Sequence, residues 1–179
     1  MKIYTREGDE GETGLLYGGR VFKNSALPEA YGTVDEAQAI IGLVRTECDK
    51  GSNLEEKIIH IERDLYVLMA ELATDPEKHH KLESGKNKVS EEMITFLEDF
   101  IDEITGSFDL PKEFVLPGQN RISALLDVSR TVVRRAERRT ISCGIKGSLA
   151  VSYLNRLSDL LWAMARWQEG ESITSRSIK

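Results

Sequence analysis

The sequence contains only two cysteines and no long apolar run among its 179 residues. Cys48 and Cys143 lie far apart and in no metal-binding spacing. Two such lone thiols exclude a disulfide framework and fit a reducing compartment. The longest apolar runs, such as LLWAMA at 160–165, are far too short to span a bilayer, and the first residues show no apolar signal region. We therefore expect a cytoplasmic protein without a membrane partner.

Basic residues are outnumbered as well, with 24 lysines and arginines against 30 acids and a formal net charge of −6. This balance argues against general binding to nucleic acid or to membrane surfaces. Hydrophobic residues make up 40% of the chain and charged residues 30%, a composition that excludes wholesale disorder. The length suits one domain over residues 1–179, with an N-terminal segment at 1–25 and a frayed tail at 170–179.

Motifs for several kinds of catalysis are missing. The three histidines are His60, His79 and His80, and the last two lie in a polar stretch. None forms the Glu-x-x-His pair that a di-iron bundle needs, and no Ser-His-Asp or Cys-His arrangement is indicated. Neither a Walker nor a Rossmann fingerprint is present. The residues therefore predict no protein-held metal site.

Helical periodicity dominates the sequence after residue 25. Apolar residues recur at heptad spacing from Leu54 to Leu72, which is typical of a bundle helix. The pattern predicts five helices, at about 28–48, 54–72, 91–104, 121–141 and 148–169. It predicts an exposed loop at 75–90, a partly extended connection at 105–119, and no strand of useful length. The expected fold is all-α, a ferritin-like up-and-down bundle of five antiparallel helices.

The fourth predicted helix carries an arginine cluster in an otherwise acidic chain. The stretch SRTVVRRAERR places five arginines within ten residues, namely Arg130, Arg134, Arg135, Arg138 and Arg139. Like charges four residues apart repel one another on a helix, so the cluster needs partners. Two kinds of partner remain open. One is a set of salt bridges, between helices or subunits, to Asp35, Glu36 or Glu137. The other is a polyphosphate, whose oxygens guanidinium groups bind bidentately.

The N-terminal stretch TREGDEGETG, residues 5–14, has four acids, three glycines and no residue that could anchor a core. Its glycines leave backbone N–H groups unshielded, which suits a loop that wraps phosphate. Neighbouring hydroxyls and cations would assist, and these belong to Thr5, Thr13, Arg6, Arg20 and Lys23. The four acids would repel phosphate, so a flexible flap is the alternative. Together with the arginine helix, this glycine-rich loop predicts a nucleoside triphosphate site.

Asn155 interrupts the apolar stripe of the fifth predicted helix, beside Leu154, Leu157 and Leu161. Its amide could bind a base or a ribose edge, because an amide both donates and accepts hydrogen bonds. The alternative is a buried asparagine whose hydrogen bonds are made by a neighbouring helix. The sequence leaves both interpretations open.

Five motifs in order resemble the ATP:cob(I)alamin adenosyltransferases of the propanediol-utilisation type. They are TREGDEGETGLLYGGRVFK, AYGTVDEAQAIIG, FVLPG, SRTVVRRAERR and YLNRLSD, and the similarity runs from Thr5 to about Arg166. The resemblance implies transfer of the 5′-deoxyadenosyl group of ATP to the cobalt of cob(I)alamin, with release of triphosphate and with Mg²⁺ present. It also implies a homotrimer with active sites between subunits. An electron donor and an adenosylcobalamin-dependent acceptor enzyme are the further partners it suggests.

The resemblance assigns roles to individual residues. Those that would bind ATP are Thr5, Arg6, Gly8, Asp9, Gly11, Thr13, Gly14, Lys23, Arg134, Arg135, Glu137, Arg138 and Asn155. The ATP phosphates would hold most of the Mg²⁺. Arg130 would pair with Asp35 across the subunit boundary. Phe114 would lie against the lower face of the corrin ring and exclude a lower axial ligand, which makes the cobalt easier to reduce. For an isolated phenylalanine, plain core packing is the alternative.

Two positions depart from the family pattern. Gln119 follows Gly118 where a second glycine is frequent, and Asp127 stands in the fourth helix where a histidine is common. Both lie near the presumed corrinoid side. They leave an alternative function open, namely a non-catalytic nucleotide-binding bundle that acts as a sensor or a cobalamin chaperone.

Overall fold

The computed structural model of this protein describes residues 3–176, so Met1, Lys2 and residues 177–179 lie outside the described part. Five α-helices account for most of it. They are α1 (Ala26–Arg45), α2 (Asn53–Leu72), α3 (Glu91–Thr105), α4 (Arg121–Ser142) and α5 (Ala150–Glu169). All five predicted helices are confirmed, with small differences at their ends.

Two short elements lie where the sequence predicts loops or no regular structure. A 3-10 helix, Pro76–Lys81, begins after Asp75, whose side chain accepts a hydrogen bond from the Glu77 N–H at 3.0 Å. A two-stranded antiparallel sheet joins β1 (Glu12–Gly14) to β2 (Arg20–Phe22). The all-α prediction is therefore wrong at this hairpin. Strands of three residues are too short to show the alternation that identifies a strand in sequence.

The core follows the apolar stripes of the helices. On α2 the heptad positions are almost fully buried; these are Ile58, Ile61, Leu65, Leu68 and Leu72. Each such side chain contributes about 1.5–3 kcal/mol when it leaves water. The stripes of α1 and α5 meet them in one apolar cluster. Within residues 3–176 no helix is both long and apolar enough to cross a membrane.

The helices alternate in direction along the chain. Arg139 near the end of α4 lies 3.7 Å from Glu29 at the start of α1, whereas Arg121 at the start of α4 lies 2.8 Å from Glu47 just after α1. We call the end of the bundle where α1 begins, next to β1 and β2, the hairpin end. The opposite end, where α4 begins, is the cavity end. This up-and-down order is the one predicted.

The segment after α5 folds back onto the connection that precedes α4. The Leu116 N–H donates to the Ile173 carbonyl at 2.8 Å, and the Ser175 N–H donates to the Phe114 carbonyl at 2.8 Å. The predicted frayed tail is thus wrong for the part up to residue 176, while its last three residues lie outside the described part. The reason is that the extended connection has backbone groups free to pair, which a pattern search does not show.

A buried carboxyl group interrupts the apolar face of α2. The Tyr153 hydroxyl of α5 donates to Asp64 Oδ2 at 3.2 Å, and His60 Nε2 lies 3.7 Å from the same oxygen. Burial raises the pKa of Asp64 above its usual 3.8, although His60 and the Tyr153 hydrogen bond act in the opposite direction. Burial, with Asp64 alongside, also raises the pKa of Tyr153. The charged form of Asp64 is therefore disfavoured in the folded protein.

This cluster predicts a pH dependence of stability. The pKa of Asp64 in the folded state lies above 3.8, the value expected in the unfolded chain. Between these two pKa values the folded state binds more protons than the unfolded state, so the stability of the protein falls as pH rises through that window. Asp64→Asn keeps an acceptor for Tyr153 and removes the titration. We expect the unfolding free energy of the wild type to decline relative to Asp64→Asn as pH rises above about 4. Urea denaturation at several pH values measures this, with exposed Asp99→Asn as the control. Parallel curves for the wild type and Asp64→Asn would contradict it.

Candidate functional site

A cavity of about 650 Å³ opens at the cavity end of the bundle. The connection before α4, the C-terminal segment, α4 and α5 form its walls. Its lining includes Phe114, Pro117, Asp127, Arg130, Trp162 and Arg166. A volume of this size lies within the range of small-molecule and cofactor sites.

Phe114 stands at the rim of this cavity with 88% of its surface exposed. Its carbonyl accepts the hydrogen bond from Ser175, so the backbone that carries the ring is paired. Core packing, the alternative for this residue, is therefore wrong. An exposed ring on a paired backbone offers an apolar surface against which a flat ligand can stack.

Charged side chains form the opposite wall of the cavity. Arg166, only 2% exposed, donates through Nη2 to Asp127 Oδ2 at 2.5 Å and to Glu169 Oε1 at 2.9 Å. Arg130 Nε donates to Asp127 Oδ1 at 3.2 Å. Asp127, which departs from the family pattern, is thus bonded to two arginines. Two cations and two anions balance here, which reduces the cost of burying them.

Arg166 and Trp162 are cavity residues that the sequence interpretation missed. The Arg166 guanidinium lies 5.9 Å from the centre of the Trp162 ring, a cation–π distance. The sequence did contain an indication of Arg166, because an arginine near the end of the apolar stretch LLWAMARW is expected to be buried. A buried arginine needs an anionic partner. The sequence alone did not identify Asp127 as that partner.

Gln119, the second departure, contacts the C-terminal segment. Its Nε2 donates to the Glu171 carbonyl at 3.2 Å. The adjacent Asn120 caps α4 by accepting from the Ser123 N–H at 2.9 Å, and its Nδ2 donates to the Gln168 carbonyl at 2.7 Å. These two side chains therefore fasten the start of α4 to the end of α5.

The arginine cluster of α4 divides into paired and unpaired side chains. Arg135 pairs with Glu36 of α1, and Arg139 lies 3.7 Å from Glu29. Arg134 and Arg138 are exposed, and neither has an ionic partner among residues 3–176. Salt bridges thus account for only part of the cluster. The two remaining guanidinium groups can accept an anionic ligand.

Glu137 and Asn155 lie beside these unpaired arginines. The Asn155 side chain of α5 is exposed and donates through Nδ2 to Glu137 Oε1 at 3.2 Å. The alternative of a buried asparagine is therefore wrong on burial, although its expected hydrogen bond to a neighbouring helix is present, to Glu137 of α4. We call Arg134, Glu137, Arg138 and Asn155 the arginine face; it combines two cations with polar groups that can hydrogen-bond.

Asp35 and Arg130 are not brought together within the chain. Asp35 is exposed on α1 and makes no ion pair among the described residues. Arg130 pairs instead with Asp127 on its own helix. The resemblance implies this pair across a subunit boundary, so the structure of a single chain does not test it.

The N-terminal stretch folds against β2, and its backbone carbonyls and acids meet two cations there. Lys23 Nζ donates to the Gly8 carbonyl at 2.7 Å, and Arg20 Nη2 donates to the Glu7 carbonyl at 2.7 Å. Arg20 Nε also lies 3.2 Å from Glu12 Oε2. These contacts offset part of the negative charge of the stretch. That charge was the reason for considering a flexible flap instead of a phosphate-binding loop. The stretch therefore has a defined path.

The other residues predicted to bind ATP occupy this stretch or β1. The Thr5 hydroxyl accepts from the Glu7 N–H at 3.4 Å, and the Asp9 N–H donates to the Arg6 carbonyl at 3.3 Å. Gly11 has a φ of +85°, a conformation that favours glycine. β1 carries the last two, Thr13 and Gly14.

The structure brings the predicted residues together as three groups. They are the cavity wall, the arginine face and the N-terminal stretch with β2. Among the described residues, no hydrogen bond or ion pair joins positions 5–23 to α4. In the same part of the chain, no group of three or more His, Cys, Asp or Glu side chains could hold a metal ion.

Known proteins resemble this chain over nearly its whole length. The family model described as cobalamin adenosyltransferase matches residues 3–168. A corrinoid adenosyltransferase from Citrobacter freundii is 42% identical over 94% of this chain and 95% of its own length. One from Bacillus subtilis is 38% identical over 93% of this chain and 86% of its own. One similar solved structure is a variant PduO-type ATP:corrinoid adenosyltransferase from Lactobacillus reuteri in complex with cobalamin and ATP. It superposes on this chain with a TM-score of 0.87 at 29% sequence identity, and the match covers 99% of this chain and 98% of that one.

The ionic wall of the cavity predicts a large loss of stability in one variant. Asp127→Ala leaves the buried Arg166 guanidinium with a single carboxylate partner, so we expect the unfolding free energy to fall by about 3–5 kcal/mol. Glu113→Ala breaks the exposed contact to Arg176 and should cost less than about 1 kcal/mol. Urea denaturation of both variants measures the difference. Equal losses would show that the Asp127–Arg166 pair contributes no more than a surface contact.

Proposed function

This chain belongs to the cobalamin adenosyltransferase family, and we propose that it transfers the 5′-deoxyadenosyl group of ATP to the cobalt of a corrinoid. It is an ATP-dependent corrinoid adenosyltransferase, as its relatives' names and the cobalamin and ATP complexes of its structural neighbour support. One observation carries the proposal from the structure itself. The helix α4 lines the cavity, whose rim carries the exposed Phe114, and it also carries two arginines that are unpaired among residues 3–176.

The arginine face is our proposed site for the nucleotide. Arg134 and Arg138 are exposed and unpaired within the described chain, so they can bind triphosphate oxygens bidentately. The Glu137 carboxylate accepts hydrogen bonds and the Asn155 amide both donates and accepts them, which suits a ribose hydroxyl or a base edge. Arg135 would remain paired with Glu36 and would add positive electrostatic potential near the phosphates.

The N-terminal stretch would enclose the phosphates. Its glycines, at positions 8, 11 and 14, allow close approach of the backbone, and Lys23 would exchange the Gly8 carbonyl for a phosphate oxygen. Mg²⁺, bound mainly through the ATP phosphates, would offset further negative charge on the leaving triphosphate. Thr5, Arg6, Asp9 and Thr13 complete the proposed set.

A homotrimer would bring these parts together. Among residues 3–176 of one chain, the N-terminal stretch and the arginine face share no polar contact, and the exposed Asp35 has no ionic partner. Leu43 of α1 and Val128 of α4 are exposed apolar residues on the two helices that carry Asp35 and Arg130. We propose that these helices form the subunit interface and that Asp35 meets Arg130 of the neighbouring subunit there.

The transfer itself needs positioning more than proton chemistry. In the proposed step, the electron pair of cob(I)alamin cobalt attacks C5′ of ATP, the C5′–O bond breaks, and its electron pair leaves with triphosphate. No proton moves, so no general base is required. The protein must hold the carbon in line with the cobalt and stabilise charge that develops on the leaving group. The arginine face and Lys23 would stabilise the charge on the leaving triphosphate.

The cavity is the proposed site for the corrinoid. Phe114, exposed at the rim, would cover the lower face of the ring and keep an axial ligand away. Loss of that ligand makes the cobalt easier to reduce, since axial ligation tunes metal potentials. A separate electron donor would supply the electron and an adenosylcobalamin-dependent enzyme would accept the product. A cytoplasmic location would suit both, and Cys48 and Cys143 are free thiols in the structure.

Arg134→Ala tests the nucleotide site. Loss of one preorganised cationic donor to the leaving triphosphate should lower turnover by about 100-fold or more while helical content stays unchanged. The matched control is Arg63→Ala, since Arg63 is also exposed on a helix and unpaired among residues 3–176. The assay follows loss of the cob(I)alamin absorbance with Mg-ATP and counts triphosphate. Full activity of Arg134→Ala would contradict the site assignment.

The same assay separates transfer from binding alone. Wild-type protein that binds Mg-ATP but forms neither adenosylcobalamin nor triphosphate would fit the sensor or chaperone alternative. Product formed with one triphosphate per adenosyl group supports the proposed reaction.

The proposed interface makes a prediction about assembly. Asp35→Arg would place two guanidinium groups opposite each other across the interface, so we expect the trimer to dissociate at concentrations where the wild type is assembled. Glu56→Arg, an exposed change on α2, should leave assembly unchanged. Sedimentation velocity measures both. A trimer that persists in Asp35→Arg would exclude the Asp35–Arg130 contact.

A further inference from the structure

We infer that Lys78, on the 3-10 helix between α2 and α3, is a positioning residue for nucleotide binding. It holds the turn between β1 and β2 in a left-handed conformation, and thereby fixes β2, which begins with Arg20 and is followed directly by Lys23. The inference rests on the proposed role of the N-terminal stretch in binding ATP. It adds a part of the chain, residues 75–88, that the proposed site does not otherwise use.

The turn between β1 and β2 has an unfavourable backbone conformation. Three consecutive residues have positive φ angles, +64° at Tyr17, +85° at Gly18 and +108° at Gly19. Glycine adopts such angles freely, but tyrosine does so at an energetic cost. A conformation of this kind persists only where surrounding contacts hold it.

Those contacts come from the connection between α2 and α3. Lys78 Nζ donates to the Gly18 carbonyl at 2.5 Å and lies 3.3 Å from the Tyr17 carbonyl. Asn87 Nδ2 donates to the Tyr17 hydroxyl at 2.8 Å, and the Lys81 ammonium lies 5.8 Å from the centre of the tyrosine ring. The one Lys78 ammonium therefore contacts the carbonyls of two successive residues of the turn.

Lys78 has no other role visible in the fold. Its ammonium makes no ion pair among residues 3–176, and both of its polar contacts are to carbonyls of this turn. Other lysines of the connection differ in this respect. Lys86, for example, pairs with Glu83 at 2.5 Å and contacts nothing in the hairpin.

The turn controls the position of the cations that would meet phosphate. β2 begins directly after Gly19, with Arg20 opposite Gly14 in the register of the sheet. Arg20 and Lys23 then reach back to the carbonyls of Glu7 and Gly8. A turn that relaxes to negative φ angles would change this register, and both cations would leave the N-terminal stretch.

The test compares Lys78→Met, which removes the ammonium and keeps the stem, with Lys86→Met as the matched control. Calorimetry gives the Kd of each full-length variant for Mg-ATP and, separately, for cobalamin. We expect Lys78→Met to weaken Mg-ATP binding by about tenfold, the effect of losing hydrogen bonds from a charged donor. Its Kd for cobalamin should stay unchanged, since the cavity lies at the other end of the bundle. Lys78→Arg keeps a charged donor and should recover most of the affinity.

Hydrogen exchange provides a second readout. The Leu15 N–H donates to the Gly19 carbonyl and the Gly18 N–H to the Leu15 carbonyl, so these amides report the turn directly. They should exchange faster in Lys78→Met and as in the wild type in Lys86→Met. Equal Mg-ATP affinity in both methionine variants would overturn the inference alone. A wild type that binds no Mg-ATP would overturn the proposed function, and this inference with it.

Discussion

The buried ion pair between Asp127 of α4 and Arg166 of α5 determines the geometry of the cavity end. It joins the two helices where the cavity forms, and both partners have further contacts. Arg166 also binds Glu169, which accepts a hydrogen bond from Ser172 of the C-terminal segment at 3.0 Å. Asp127 also binds Arg130. Burying the charges of Asp127, Arg166 and Glu169 is costly unless each is paired, so these side chains and Arg130 fix one another and the wall they form.

The cavity and the arginine face share one stripe of α4. Asp127, Arg130, Arg134 and Arg138 follow one another at spacings of three and four residues, so they lie along the same side of the helix. From Arg130 to Arg138 the helix rises by about 12 Å. A nucleotide bound at the proposed arginine face would therefore lie along α4 with one end directed towards the cavity. The straight helix sets that distance, and the Asp127–Arg166 pair sets the position of its cavity end.

The sequence predicted the helices, which hydrophobic periodicity identifies. It missed the strands and ion pairs that depend on contacts between distant segments. The stripe from Ile58 to Leu72 identified α2 because seven-residue spacing is visible without a partner. The strands β1 and β2 were missed because three residues cannot show alternation, and their turn depends on Lys78 from a later segment. Within the candidate site, the arginines were recognised by their density. The partner of Asp127 was not, since Arg166 lies on another helix and only the fold brings them together.

The arginine cluster shows how one helix separates structural charges from functional ones. Successive residues are rotated by about 100°, so Arg135 and Arg139 turn towards α1 and meet its acids, whereas Glu137 turns towards Asn155 of α5. Arg134 and Arg138 point outwards between these two flanks. Like charges four residues apart repel each other there, at a cost of a few tenths of a kcal/mol. An anion bound between them, as we propose for the nucleotide, would remove that repulsion and make the helix more stable than in the free protein. The affinity of the proposed site would thus include the relief of a repulsion that the sequence imposes on the free protein.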